Sequence, residues 1–219
     1  MFPFPFSFFG SGAVEPPELE LIDNNFAMEF DAASSQYISS GYNVTSGNKT
    51  ISFWFKSSYS GYQSVLGDAT DGFVLGNFTS QIPSPQAISY TDSDTGKKFG
   101  ITGSVTDELA DGNWHNFVYT YDGNSKIYID GTERTISYRS NTTSSDDIVI
   151  IDNLGLGLNI TGYPLYDGDM DEVAIWSRAL EVTDVQTIYN ATNNNPGKCA
   201  NLWSGGLGTG LVYWNRMGD

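Results

Sequence analysis

Gly112-Asn113-Trp114-His115-Asn116-Phe117-Val118-Tyr119-Thr120-Tyr121-Asp122-Gly123-Asn124-Ser125-Lys126-Ile127-Tyr128-Ile129-Asp130-Gly131 holds two aromatic and β-branched runs joined by turn residues. Such side chains fit a pleated, half-buried surface, and Asp-Gly-Asn supplies the backbone freedom a tight reversal needs. The stretch predicts strands at His115–Tyr121 and Lys126–Ile129, with a second reversal at Asp130-Gly131.

The same pattern continues on both sides. Short alternating or wholly apolar runs stand at Phe26–Phe30, Tyr37–Ser39, Thr50–Lys56, Ser64–Gly67, Phe73–Gly76, Ala87–Tyr90 and Lys98–Ile101. Beyond the hairpin they recur at Thr135–Tyr138, Ile148–Ile151, Gly155–Leu158 and Asp171–Trp176. Helical periodicity is nearly absent between residues 20 and 178. Many short strands with regular turns predict an all-β fold, a two-sheet antiparallel jelly-roll sandwich. One short C-terminal helix is predicted over Val182–Asn190, where Val185, Ile188 and Tyr189 form an apolar stripe behind Glu181 or Thr183. Residues 193–219 read as a linker, a flexible Gly205–Gly210 run and a strand at Leu211–Trp214. That strand either completes the sandwich or opens a second repeat.

Composition narrows the function. The 219 residues carry 26 acidic and 10 basic side chains, a net charge of −16. Phosphate backbones and anionic membranes call for the opposite sign, so neither nucleic acid nor membrane is an expected partner. No apolar run approaches the roughly 20 residues that cross a bilayer. The single cysteine, Cys199, can form no intrachain disulfide and reads as an inert thiol. Met1–Phe9 is Phe- and Pro-rich without a basic start, which argues against a signal peptide. Phe2, Phe4, Phe6, Phe8 and Phe9 are costly to leave in water, so residues 1–19 are expected to be a docking arm and hinge that insert into another subunit.

Three stretches carry a family resemblance: Phe26–Asp31 with Gln36–Ile38 and Ile51–Lys56, then Gly112–Gly131, then Gly168–Leu180. In that order and spacing, residues 20–192 resemble a laminin-G-like domain of the concanavalin A-like lectin/glucanase superfamily. Glycosidases of the superfamily use a Glu-x-Asp-x-x-Glu carboxylate pair on one strand face. That motif is absent here, and Asp169-Met170-Asp171-Glu172 has the wrong spacing. His115, the one histidine, matches a structural position, so no catalytic residues and no enzyme activity are expected. The resemblance implies a structural calcium, with Asp171 as its side-chain ligand and Asp31 as the weaker candidate; the alternative is that both bond turn amides. Tyr59, Tyr62, Tyr163 and Tyr166, with Asp92 and Asp94, fall in loop-like segments whose chemistry suits glycan binding.

The resulting expectation is a structural or adhesion protein on a large assembly, such as a decoration or fibre protein at a phage virion surface. It would be held to capsid or fibre subunits by its arm, would self-associate as a homo-oligomer, a trimer, and would bind host glycans. A free or cell-attached bacterial lectin, extracellular or at the cell surface, is the alternative. A glycoside hydrolase is the remote one.

Overall fold

A computed structural model describes residues 18–76, 86–93, 95–102, 108–139, 141–158 and 160–219. The docking-arm phenylalanines Phe2, Phe4, Phe6, Phe8 and Phe9, and Asp94, lie outside the described residues. The architecture is the expected antiparallel sandwich. Among the described residues, no helix is long and apolar enough to cross a membrane.

The first sheet runs β11 (Thr132–Arg134), β10 (Ser125–Ile129), β9 (His115–Tyr121), β4 (Lys49–Lys56), β14 (Gly168–Trp176) and β16 (Leu211–Asn215). β2 (Met28–Phe30) pairs with the first half of β14, and β16 with the second half. The C-terminal strand therefore lies in the same sheet as the hairpin. The second sheet runs β12 (Ile136–Tyr138), β8 (Lys98–Thr102), β7 (Gln86–Asp92), β6 (Asp71–Leu75), β5 (Gln63–Gly67), β13 (Gly155–Leu156) and β3 (Ile38–Ser39). Two strands absent from the sequence reading, β1 (Leu21–Asp23) and β15 (Lys198–Ala200), form a small separate sheet.

The first sheet is buried on both faces, which explains the continuous apolar runs Phe117-Val118-Tyr119 in β9 and Val173–Trp176 in β14. One face meets the second sheet. Phe53, Phe55, Phe117 and Tyr119 point into this core against Phe73, Leu75, Tyr90 and Phe99. The other face carries Val118, Ala174 and Trp176, roofed by Val185, Ile188 and Ala191 of α1 (Val182–Asn193). Asp184, in the first turn of α1, accepts from Arg178 Nη1 at 2.9 Å and from the Glu181 amide at 3.4 Å, which anchors the helix start.

The Asp130-Gly131 reversal is a two-residue hairpin between Ile129 and its partner Thr132. Both turn residues have positive φ, 52° and 72°, the geometry that favours Asp-Gly. The predicted Ile148–Ile151 strand does not form. Ile150 N–H donates to Ile148 O at 2.9 Å, a three-residue turn that breaks an extended ladder. Side chains take the carbonyls instead: Lys49 Nζ donates to Val149 O and the Tyr90 hydroxyl to Ile150 O. One bridge, Val44 with Ile151, is what remains. Gly205–Gly210 also differs from the flexible run expected. Successive turns link Ser204 to Leu207 and Gly208 to Leu211, Leu207 is buried, and its carbonyl accepts from Trp176 Nε1 at 2.7 Å.

Candidate functional site

β14 creates the site by breaking its own alternation. Met170 and Val173 both face the sandwich core although they lie three residues apart. The register slips between Asp171 and Ala174, and Glu172 adopts φ 50°. This bulge places the carboxylates of both Asp171 and Glu172 under the outer layers of the molecule, where they are 5% and 6% exposed.

Asp171 pairs directly with Trp54 of β4. Thr50, Ser52 and Lys56 share the face on which Trp54 lies, so a large aromatic ring interrupts an otherwise polar row. Tyr189 of α1 stacks on Trp54 at 5.8 Å and 14°. Past the end of α1 the roof stops and a cleft of about 280 Å³ opens. Its floor is Trp54 and Asp171; its walls are Asn24, Asn25 and Phe26 on one side and Gly197 and Lys198 on another, with Trp114 at its margin. Phe26 and Trp114 are 65% and 39% exposed, so aromatic surface faces solvent at the mouth.

The floor is polar and incompletely bonded. Asn24 Nδ2 donates to Asp171 Oδ2 at 2.9 Å, and the Glu172 amide donates to Asp171 Oδ1 at 2.8 Å. Asn24 Oδ1 is buried with no hydrogen-bond partner, a costly state for an amide oxygen. Burial, reinforced by the charges of Glu172 and Asp219, pushes the Asp171 carboxyl up to about 7.

The C-terminal segment fixes the wall. The Asn25 amide donates to Asp219 Oδ2 at 2.8 Å, the Asn24 amide to Gly197 O at 2.9 Å, and Arg216 Nη2 to Asp23 O. Gly218, at φ +144°, packs so closely that a Cβ there would sit 3.0 Å from Phe26 Cβ. Arg216 is held from behind, because its Nε donates to Glu172 Oε1 at 3.3 Å.

Trp114 is placed by its neighbour His115. The imidazole lies between two carboxylates, with Nδ1 2.8 Å from Asp130 and Nε2 3.1 Å from Asp111. The Asp130 hydrogen bond, joined by Asp111, raises the His115 pKa against the opposing effect of burial. The charged form is therefore favoured in the folded state. Its stabilisation is fully present below the unfolded value of about 6.5 and disappears as pH rises through the folded value. Urea midpoints should therefore decline from pH 6 to pH 8 in the wild type, and this slope should flatten in His115→Gln. An unchanged slope in the variant would remove His115 as its source.

The residues anticipated for ligand binding are dispersed. Tyr59 and Tyr62 are about half exposed, and the Tyr62 ring meets Tyr163 edge-on at 6.2 Å, forming a tyrosine shelf away from the Trp54 cleft. Tyr166 is not a loop residue facing solvent. It is fully buried, its ring abuts Phe30 at 5.9 Å, and its hydroxyl donates to Lys56 O and Asp169 O. Asp31 caps a 3-10 turn, Ala32–Ser34, accepting from the Ala33 amide at 2.9 Å and Ser34 Oγ at 2.6 Å. The pairing of Met28 with Met170 and Phe30 with Gly168 puts Asp31 four residue steps, roughly 13 Å, from the level of Asp171. The two aspartates do not share a site. Asp92 borders a second hollow of about 340 Å³ with Asp68, Asp71, Asp147 and Asp152. These carboxylates brace turns: Asp68 accepts from the Thr70, Asp71 and Asp152 amides, Asp92 from Thr95, and Asp147 from Gly47. Cys199 is buried, and burial pushes its thiol far above the ordinary range, so it stays protonated.

The family profile of the concanavalin A-like lectin/glucanases superfamily matches residues 31–186. The chain belongs to that superfamily. No curated protein sequence matches it. Among solved structures, a Bacteroides ovatus protein described as carbohydrate-binding superposes with a TM-score of 0.63 at 18% identity, covering 90% of this chain and 53% of that one. The chain thus spans about half the length of that relative. Domain 4 of AbnA, a GH43 extracellular arabinanase of Geobacillus stearothermophilus in complex with arabinotriose, gives 0.50 at 19% identity, covering 77% and 80%. The receptor binding domain of botulinum neurotoxin C/D mosaic serotype gives 0.50 at 15%, covering 80% and 46%. At these identities the likeness is one of fold; function must be argued from the site.

Proposed function

We propose that the chain is a non-enzymatic carbohydrate-binding domain whose ligand seats in the cleft over Trp54 and Asp171. The observation that carries this reading is exposed aromatic surface at the mouth of a cleft with a polar floor. The C–H faces of a sugar ring are apolar and pack on aromatic rings, while its hydroxyls bond polar side chains that line the cleft, Asp171 and Asn25. Among the described residues lining the cleft, Asp171 is the one carboxylate, whereas glycoside hydrolysis uses a pair. The carbohydrate-binding B. ovatus relative and the arabinotriose-bound arabinanase domain support the reading through the shared fold.

Calcium belongs to this proposal as a structural ion. Among the described residues no three His, Cys, Asp or Glu side chains converge on a metal position. The chemistry at Asp171 nevertheless fits a cation. Turning the Asn24 amide over would bring its orphaned oxygen to the place of Nδ2, beside Asp171 Oδ2. Asp171 and Asn24 would hold the ion, with further oxygens completing its shell. It would supply charge neutralisation at the cleft floor.

The test is a glycan array including arabino-oligosaccharides, read in calcium and in chelator, with melting temperature measured alongside. Trp114→Ala should weaken binding at least about tenfold, roughly 1.4 kcal/mol, without changing the melting temperature. Calcium should raise the melting temperature of the wild type and leave Asp171→Asn unmoved. Silence of the whole array removes the lectin reading, and indifference to chelator removes the ion.

Within this reading, the chain is a decoration or fibre protein of a virion surface, attached to capsid or fibre subunits through Met1–Phe9 and self-associating as a trimer. The support is the run of Phe2, Phe4, Phe6, Phe8 and Phe9, apolar surface that needs a partner. Deleting residues 1–12 should abolish incorporation into particles and leave sugar binding intact. Normal incorporation of the deletion, or a monomeric full chain by light scattering, would favour a free lectin instead.

A further inference from the structure

The cations around the cleft are already neutralised by carboxylates of the chain itself. Lys56 Nζ sits 5.8 Å from the centre of the Trp114 ring and is bonded to Asp169 Oδ2 at 2.9 Å. Lys198 is paired with Asp23. Arg216, behind the wall, is divided between Glu172 at 3.3 Å and Asp219 at 3.4 Å. Facing this set, the cleft floor offers the Asp171 carboxylate, whose oxygens are acceptors. With no ion on Asp171, a ligand carboxylate, sulfate or phosphate entering here would lose its hydration, meet that carboxylate, and find only cations that are already paired. A hydroxyl-bearing ring without charge meets no such opposition, and its donors match the acceptors on the floor.

We infer that the cleft without a bound ion is selective for uncharged sugars and rejects uronate, sialylated and sulfated glycans, with the Lys56–Asp169 pair as its specificity-determining contact. This rests on the carbohydrate-binding reading above and sharpens it. Asp169 holds the ammonium that stands nearest the exposed tryptophan, so removing its charge should release Lys56 toward the mouth. A partly exposed pair of this kind is weak, so Asp169→Asn should gain up to about fivefold in affinity for acidic glycans. Asp169 is partly exposed on β14 and its side chain bonds Lys56, so the variant is expected to fold; circular dichroism checks this.

The experiment compares wild type and Asp169→Asn on matched arrays of neutral sugars and their uronate, sialylated or sulfated counterparts, with and without calcium. Binding of wild type to neutral members alone in chelator, with acidic members recruited by the variant, is the expected result. Equal or preferential binding of acidic glycans by the wild type in chelator overturns the selectivity. Neutral binding with no acidic gain in the folded variant overturns the role of the pair. Silence of the wild type across both sets overturns the parent reading, and the selectivity with it.

Discussion

Phe73→Ala should lower unfolding free energy by about 3–5 kcal/mol, the cost of truncating a fully enclosed aromatic ring. Phe73 is 0% exposed on β6 and links the two sheets. Its ring lies 5.1 Å from Tyr90 and 6.5 Å from Phe99 in its own sheet, and 4.9 Å from Phe117 and 5.8 Å from Tyr119 in the facing one. Truncation leaves four aromatic neighbours facing a void that their rigid rings fill poorly. Urea unfolding would show a reduced midpoint with unchanged slope. Phe26→Ala, removing a ring that is mostly in solvent, serves as the control and should move the midpoint little. A Phe73 cost below about 1 kcal/mol would mean that the sheets do not interlock through this residue.

Arg216→Ala should cost about 3 kcal/mol at neutral pH, because it strips the countercharge from a buried carboxylate. Glu172 is held under the C-terminal segment by the β14 bulge, where it accepts from Trp214 Nε1 at 2.6 Å, Arg216 Nε at 3.3 Å and Cys199 Sγ at 3.4 Å. Burial already raises its pKa, and Arg216 opposes the rise. In the variant the folded pKa climbs further above the unfolded one. A raised carboxylate value destabilises the fold above the unfolded pKa, and the penalty shrinks as pH falls and the group protonates. The loss should therefore be larger at pH 7 than at pH 5. Glu172→Gln in the Arg216→Ala background should recover most of it, and the double-mutant cycle isolates the pair. Additive effects would show that Arg216 does not compensate Glu172. The same variant removes the bond to Asp23 O, so amide exchange at Asn24 and Asn25 should quicken.

The sandwich was legible because its signals are local. Asp122-Gly123 and Asp130-Gly131 mark reversals, and Phe117-Val118-Tyr119 alternates between two buried faces, a pattern each strand reveals alone. Ile148–Ile151 misled because its composition suits a strand, while a three-residue turn and the side chains of Lys49 and Tyr90 claim its backbone. Tyr166 misled because it follows Gly162-Tyr163-Pro164 in a turn-rich stretch, yet it folds back beneath β14. The cleft had no local signature. Trp54 meets Asp171 only through strand register, and Asn24 joins them from a connection clamped by Arg216 and Asp219. The nearest clue was Trp54 itself, a bulky ring at an outward position between Ser52 and Lys56.

The small sheet of β1 and β15 has a consequence for biosynthesis. Leu21 pairs with Ala200 and Asp23 with Lys198, so the wall strand must wait until some 175 further residues have emerged from the ribosome before it finds its mate. The sandwich can condense earlier from hairpins such as β9–β10, whose partners are sequence neighbours. The wall of the cleft is thus assembled after the sandwich, and a translation product that stops before β15 can hide its greasy interior yet lack a finished cleft.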